Sequence, residues 1–334
     1  YTIMSNYFDD KSIFSEPQVN QYSSHMVMTD VNPDIKTKYI NVDTKFRSDY
    51  TSVIDHVNHN IDLNESIGNI LDMKVESVEL PVTYYNISSH LENNYFKATV
   101  IIDGDISSSY MITMPENHYT NIDDVIVEIN EQIDNTLPGD NTTLARLTAA
   151  KVNNKIVFYS NNTDSPGTDF QFIIDFAVDK NGNFDKYNFK SKMGWLLGFV
   201  ELSYNTLESI TTYIATGFKS ANAENLNMLV TSTNVLYLVL DDFSNGKQSS
   251  FNTMMSRSRN NNNIIAKIVV DKTKYNFGSL CIANGDNGFL ISDKRKYTGK
   301  NDIRKLSVQL VDEYDRFIHL NGLDFTFTLK ITHQ

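Results

Sequence analysis

The chain is dominated by short segments in which apolar and polar residues alternate, each followed by turn-forming residues. Residues 69–80 alternate in this way until Pro81, and residues 306–311 and 325–331 repeat the pattern near the end. Alternation with a period of two places one set of side chains on a buried face and the other in water, as in a strand packed on one side. About a dozen such segments, with no repeat of fixed period, predict an all-β, jelly-roll-type β-sandwich rather than a parallel α/β fold.

Further strands are indicated by runs of β-branched and aromatic residues. Two pairs are separated by a few turn-forming residues and are predicted to be hairpins: 98–102 with 110–114, and 149–152 with 155–159. The other predicted strands span residues 38–43, 170–174, 235–240, 264–270, 280–282 and 289–291.

One segment has the spacing of a helix instead. Its apolar residues recur every three or four positions behind Thr120-Asn121, and Pro138-Gly139 ends the run; they are Ile122, Val125, Ile126, Ile129 and Ile133. This pattern predicts one short amphipathic helix over about residues 121–136, capped by Asn or Thr.

The first 36 residues differ from the rest because they lack a clear period and end at Asn32-Pro33-Asp34. We interpret residues 1–36 as an extended N-terminal arm and residues 37–334 as the jelly-roll body. Two interpretations of the arm stay open: it orders on a neighbouring protein, or it remains a disordered tail.

Charge and composition exclude several classes of protein. The 29 basic and 41 acidic side chains give a net charge of −12, which disfavours nucleic-acid binding. The longest apolar runs have six or seven residues, too few for a transmembrane segment. The single Cys281 excludes internal disulfides and a cysteine-based zinc site, and the first ten residues have no signal-peptide character.

No common catalytic or nucleotide-binding motif is present, so we predict no enzyme, no catalytic residue and no cofactor. His56 and His59, near Asp55 and Asp62, have a spacing that could ligate a metal on a helix, but the Asn-rich surroundings favour a loop. Residues 179–185 resemble the start of a calcium loop; a hairpin turn on Asn181-Gly182 is the favoured interpretation. We therefore predict no metal site.

Two segments are candidate interface or structural elements. Lys294, Arg295 and Lys296 form the one basic cluster on an acidic chain and either dock on an acidic partner or, as we favour, form a solvated loop. Trp195, the only tryptophan, and Phe199 lie in a glycine-flanked apolar run and indicate core or an interface anchor.

Several segments, in order along the body, resemble the minor capsid and penton-type jelly-roll proteins of nucleocytoplasmic large DNA viruses (giant viruses). Residues 39–47 resemble the family's opening I-N-V/I-D-S-R-F/Y-R, and residues 70–87 with 93–96 resemble its block E-L-P-N-T-x-Y-N-I … N-N-x-F. The other matching elements are 112–120 with I-x-I-P-x-G-x-Y-T, 195–199 with L-L-G-F, and 318–327, containing Asn321 and Gly322, with the closing strand. Val82 replaces the usual Asn, and Asn117 the usual Gly.

The resemblance implies a non-enzymatic, structural virion protein, a penton or minor capsid component assembled in the host cytoplasm. Its partners would be the major capsid protein lattice and other minor capsid proteins, contacted through loops and the N-terminal arm. A penton would form a homo-pentamer through unlike patches of neighbouring copies. Two alternatives belong to other classes: a glycan-binding spike or fibre-head β-sandwich, which tends to form trimers, and an unrecognised hydrolase on a β scaffold.

Overall fold

The computed structural model describes residues 34–47, 58–102, 105–136, 147–152, 155–160, 170–187, 189–205, 215–216, 234–244, 247–248 and 263–334. Within this part the strands are β1 (Lys36–Asp43), β2 (Asn58–Ile67), β3 (Ile70–Pro81), β4 (Tyr95–Ile102), β5 (Asp105–Thr113), β6 (Leu147–Val152), β7 (Lys155–Ser160), β8 (Phe170–Asp175), β9 (Ser203–Asn205), β10 (Ala215–Thr216), β11 (Val235–Asp241), β12 (Lys247–Gln248), β13 (Ile264–Val269), β14 (Leu280–Asn284), β15 (Leu290–Ser292), β16 (Arg295–Tyr297), β17 (Ile303–Val311) and β18 (Thr326–His333). The helices are α1 (Ile122–Asn135) and α2 (Met193–Leu196). Neither is long and apolar enough to cross a membrane.

Eleven of these strands, β1–β3 and β11–β18, form a jelly-roll sandwich of two sheets, which confirms the predicted all-β fold class. The first sheet has the order β1-β18-β3, and β3 continues to β14 and to β16-β12; the second has the order β15-β13-β11-β17-β2. Every pairing is antiparallel. The first strand therefore pairs with the last and the second with the last but one, as in two nested Greek keys. Side chains from both sheets meet in a first hydrophobic core.

Strand β3 shows how the sequence determines this packing. Its fully buried residues Met73 and Val75 are followed by Val78 and Leu80, so the alternation slips by one position between the two pairs. The slip coincides with a register shift against β18 between Thr328 and Leu329. One extra residue on β3 at this bulge lets both halves of the strand direct their apolar side chains to the same core.

A second hydrophobic core is formed by residues that lie between β3 and β11 in the sequence. Its strands form a four-stranded sheet, β5-β4-β8-β9, and a three-stranded sheet, β10-β7-β6. Both predicted hairpins are confirmed as the pairs β4–β5 and β6–β7.

The predicted helix is also confirmed. The Asn121 side chain caps α1 by accepting a hydrogen bond from the backbone N–H of Asp123 at 3.0 Å. Its buried face, directed to the second core, consists of Val125, Ile126, Ile129 and Ile133.

The expectation of a loop around His59 was wrong. This residue lies in β2, opposite Val308 of β17. Only Ile61, Leu63 and Ile67 supply apolar side chains to β2, so the local pattern is weak. The strand forms because β17 offers it an edge for pairing. Residues 55–56 and most of the predicted arm lie outside the described residues, and the division into arm and body stays a prediction.

Candidate interaction sites

The run that contains Trp195 and Phe199 contributes mainly to the second core. Phe199 is fully buried, with its ring stacked on Phe176 at a centroid distance of 4.7 Å. Gly194 lies against the same ring, and a Cβ atom there would come within 2.4 Å of Phe176 Cγ. Trp195 is only partly buried; its ring meets Phe189 edge-on at 6.2 Å, and Lys190 Nζ lies 5.2 Å from the ring centroid. Phe199 is thus a core residue, whereas Trp195 reaches the surface.

The basic cluster is divided between surface and core. Lys294 and Lys296 are exposed, and Lys294 forms an ion pair with Asp72 at 3.0 Å. For Arg295 the solvated-loop interpretation was wrong, because this residue begins β16 and is 1% exposed. Its partner is Asp242, 53 positions earlier in the chain, which no local pattern would reveal.

Arg295 is the centre of a buried polar network. Its guanidinium donates to the carbonyl oxygens of Leu240 at 2.7 Å and Asn263 at 2.8 Å, and to Asp242 Oδ2 at 3.2 Å. The Tyr297 hydroxyl donates to the same carboxylate oxygen. Burial, followed by the charge of Asp242, raises the pKa of this hydroxyl. The network joins β11, β13 and β16, so the role of Arg295 in this chain is to hold strands together.

Asn321 and Gly322 form a tight turn before β18. Both adopt a left-handed backbone, with φ of 52° and 80°, which Asn and Gly tolerate best. Asn321 Nδ2 donates to the carbonyl of Thr83 at 2.5 Å, and the Thr83 hydroxyl donates to the carbonyl of Leu320 at 2.7 Å. The turn is exposed but is fixed to the segment that follows β3.

Buried asparagines hold the segment where the chain passes from the first core to the second. Asn86 exchanges two hydrogen bonds with the backbone of Tyr119, at 2.6 Å and 2.9 Å. Asn93 Nδ2 donates to the carbonyl of Asn86 at 2.8 Å, and Asn94 Nδ2 to that of Met114 at 2.9 Å. Sequence analysis gave no role to these three residues, although all belong to the block that resembles the capsid family.

A group of ionisable side chains lies beside this passage. The rings of His90 and His319 are stacked with centroids 3.8 Å apart. Glu116 is nearby and accepts hydrogen bonds from the backbone N–H and the hydroxyl of Ser89. The hydroxyl is the main cause that lowers the pKa of Glu116. Within the described residues no group of three or more His, Cys, Asp or Glu side chains is arranged to hold a metal ion.

The calcium-like segment forms the predicted turn. Val178 and Phe184 form an antiparallel bridge, and Gly182 has a φ of 79°. The Lys192 ammonium group is buried beside this turn, donating to the carbonyl of Val178 at 2.9 Å and to Asp185 at 3.0 Å. Lys192 therefore neutralises Asp185, one of the two carboxylates of this segment.

Exposed aromatic side chains and a cleft of mixed polarity are present at the surface of the described residues. Large aromatic side chains outside the strands are 57 to 78% exposed: Phe46, Phe184, Tyr187 and Phe243. A cleft of about 830 Å³ also lies between β1 and β2, lined by residues 38–43, 46–47, 59–65 and 67. Isolated exposed apolar residues are ordinary, whereas neighbouring exposed aromatic residues such as Phe184 and Tyr187 are typical of contact sites.

The sequence matches no protein-family model and no curated protein. Among solved structures, the chain is similar to the selenomethionine-labelled mavirus penton protein, with 10% sequence identity and a TM-score of 0.41. The match covers 90% of this chain and 98% of that chain. A likeness this distant carries no argument about what this chain does.

Proposed function

We propose that the protein is a structural component of a virion capsid, a penton or another minor capsid protein, and not an enzyme. One observation carries the proposal: the segments that resemble capsid proteins are those that form the first strand of the jelly roll and hold its connecting segments in place. Residues 39–47 lie in and just after β1, Asn86 and its neighbours hold the passage between the cores, and Asn321 fixes the last turn. A fold held in this way presents its loops to neighbours at defined positions.

The loop aromatics are the contacts that we assign to assembly. Phe184 and Tyr187 are 71% and 67% exposed on one loop, and aromatic residues are enriched at the centres of protein interfaces. The partners in this proposal are the major capsid protein lattice, other minor capsid proteins and, at a vertex, four further copies of this chain. The surface members of the candidate interface set are Trp195, Lys294, Lys296, Asn321 and Gly322. The net charge of −12 disfavours a nucleic-acid partner.

The native mass tests the proposal. We would measure it by size-exclusion chromatography with light scattering over a concentration range, alone and with the major capsid protein from the same virus. A pentamer alone, or a monomer that joins the major capsid protein, supports a capsid role. A trimer that binds glycans on an array would replace it with the spike or fibre-head function.

Paired variants separate assembly from folding. Phe184→Ser removes an exposed loop aromatic, and we expect it to weaken assembly at least tenfold while leaving thermal stability unchanged. Val127→Ser changes a residue on α1 that is similarly exposed, at 66%. This control should assemble like the unmodified protein. Equal assembly of both variants and the unmodified protein would remove the loop from the proposed interface.

A further inference from the structure

Three histidines lie at the junction where the second core meets the jelly roll. One of them, His118, precedes Tyr119, which is buried in the second core. Its ring stacks on Phe277, from the connection between β13 and β14, at a centroid distance of 4.7 Å. Its Nδ1 atom lies 3.3 Å from the carbonyl oxygen of Tyr84, in the segment that follows β3. These contacts attach the connection between β5 and α1, which belongs to the second core, to the jelly roll.

The other two histidines form a ring pair at the same junction. His90, in the passage from the first core to the second, stacks on His319, in the connection between β17 and β18. The ring centroids are 3.8 Å apart and the ring planes differ by 22°. His319 lies between Ile318 and Leu320, which are buried in the first core. The pair therefore holds the passage against the jelly roll, and protons reach it directly because His90 is exposed.

The charged groups around the ring pair can balance one added positive charge but not two. The pKa of Glu116 is lowered mainly by the Ser89 hydroxyl and further by the charges of both histidines, which places its carboxylate beside the pair. Arg316 donates to a carbonyl oxygen of the passage, and its own charge is neutralised by Asp312. Tyr84 stays neutral because burial raises its pKa. A second proton on the pair would thus place two like charges 3.8 Å apart with one carboxylate to offset them.

His118 disfavours protonation for a different reason. Burial is the main cause that lowers its pKa, and the charge of Lys272 lowers it further, whereas the hydrogen bond to the carbonyl of Tyr84 raises it. Glu313 is the carboxylate that acts on Lys272. The closed junction therefore favours the neutral form of this imidazole.

We propose that His90, His118 and His319 form an acid-sensitive clasp, which holds the second core on the jelly roll at neutral pH and releases it as the rings become protonated. Above the usual histidine pKa of 6.5 the rings are neutral whether the junction is closed or open, so closure keeps its full stability. Below that value the open junction binds protons that the closed junction disfavours, and closure is weakened. Each unit by which closure lowers a pKa weakens it by up to tenfold. The clasp does not depend on the capsid role.

Hydrogen exchange of the full-length protein tests the clasp at about pH 7.5 and about pH 5.5, on either side of the ordinary histidine range. Protection factors, which correct for the intrinsic effect of pH on exchange, should fall at least tenfold on acidification in residues 83–91, 116–120 and 318–323. Residues 327–331 should keep theirs, because β18 lies between β1 and β3 in the first sheet. An equal fall in both sets would indicate general acid unfolding and overturn the proposal. Unchanged protection at the junction would overturn it as well.

Phenylalanine at the three positions keeps an aromatic ring but removes its titration. The triple variant combines His90→Phe, His118→Phe and His319→Phe, and its protection at the junction should fall less than twofold on acidification. The matched control, His333→Phe, changes a histidine at the far end of β18, opposite Lys36, and should behave like the unmodified protein. A fall in the triple variant as large as in the unmodified protein would assign the effect to other groups and overturn the proposal.

Nuclear magnetic resonance of the histidine rings gives a second measurement on the unmodified protein. The ring of His118 should titrate with a midpoint below the usual value of 6.5. A midpoint at or above that value would overturn the proposal, whether or not the triple variant folds.

Discussion

Replacing Arg295 with methionine should destabilise the first core strongly while changing little of its volume. The substitution removes three hydrogen bonds, two to backbone carbonyls and one to Asp242, whose carboxylate is buried with 0% exposure. Removing one partner of a buried ion pair costs about 3–5 kcal/mol because the other charge is left without compensation. Tyr297 and Lys247, with Nζ 3.5 Å from Asp242 Oδ1, remain as partners. The lower end, about 3 kcal/mol, is therefore expected.

Urea unfolding followed by circular dichroism measures this loss, and the midpoint should fall without a change in slope. Lys296→Met on the same strand is the matched control, because its side chain is exposed and its effect should stay within about 0.5 kcal/mol. The double variant Arg295→Met with Asp242→Leu removes both charges and should be more stable than Arg295→Met alone. The reasoning is refuted if Arg295→Met lowers the free energy of unfolding by no more than Lys296→Met does. It is also refuted if the effects of Arg295→Met and Asp242→Leu on this free energy simply add.

Three further outcomes follow from the structure. Gly194→Ala should lower the free energy of unfolding in urea by about 1–3 kcal/mol, because the added methyl group would clash with the buried ring of Phe176. Gly285→Ala meets nothing within 4 Å and should be neutral, so equal effects of the two variants would contradict this packing. Cys281 is fully buried, and the pKa of its thiol is raised to about 11. Maleimide should therefore label the native protein at least a hundredfold more slowly than the protein unfolded in urea, and equal rates would disprove the burial. Glu116 has a lowered pKa, so its stabilising contribution is present above its usual value of 4.5 and is lost as the pH falls through the folded-state value. The stability advantage over Glu116→Gln, measured by thermal unfolding, should therefore shrink with acidification, and an advantage that is independent of pH would refute the assignment.

Local sequence pattern predicted those elements that carry their own signal. α1 has a cap, a helical period and a stop, and β3 and β18 alternate strongly enough to be recognised, so these elements were located within a few residues. The pattern around Asn181-Gly182 likewise predicted its turn. In each case the residues that determine the structure are neighbours in the chain.

Long-range pairing explains what the sequence alone did not reveal. β2 is a strand because β17 borders it, and Arg295 is buried because Asp242 and two distant carbonyls receive its guanidinium. The bulge in β3 becomes visible only against β18. The buried roles of Asn86 and Asn94 depend on backbone groups 20 or more residues away. None of these partners can be identified from a local period.

The pairing of β1 with β18 has a consequence for synthesis on the ribosome. The first core takes its residues from 42–91 and from 236–331, on both sides of the residues that build the second core. The second core is complete in the nascent chain while β11 to β18 are still untranslated, so it can fold first. The jelly roll must wait for β18, and β1 stays without this neighbour until β18 has been translated. A chain interrupted before β18 therefore cannot close the sandwich.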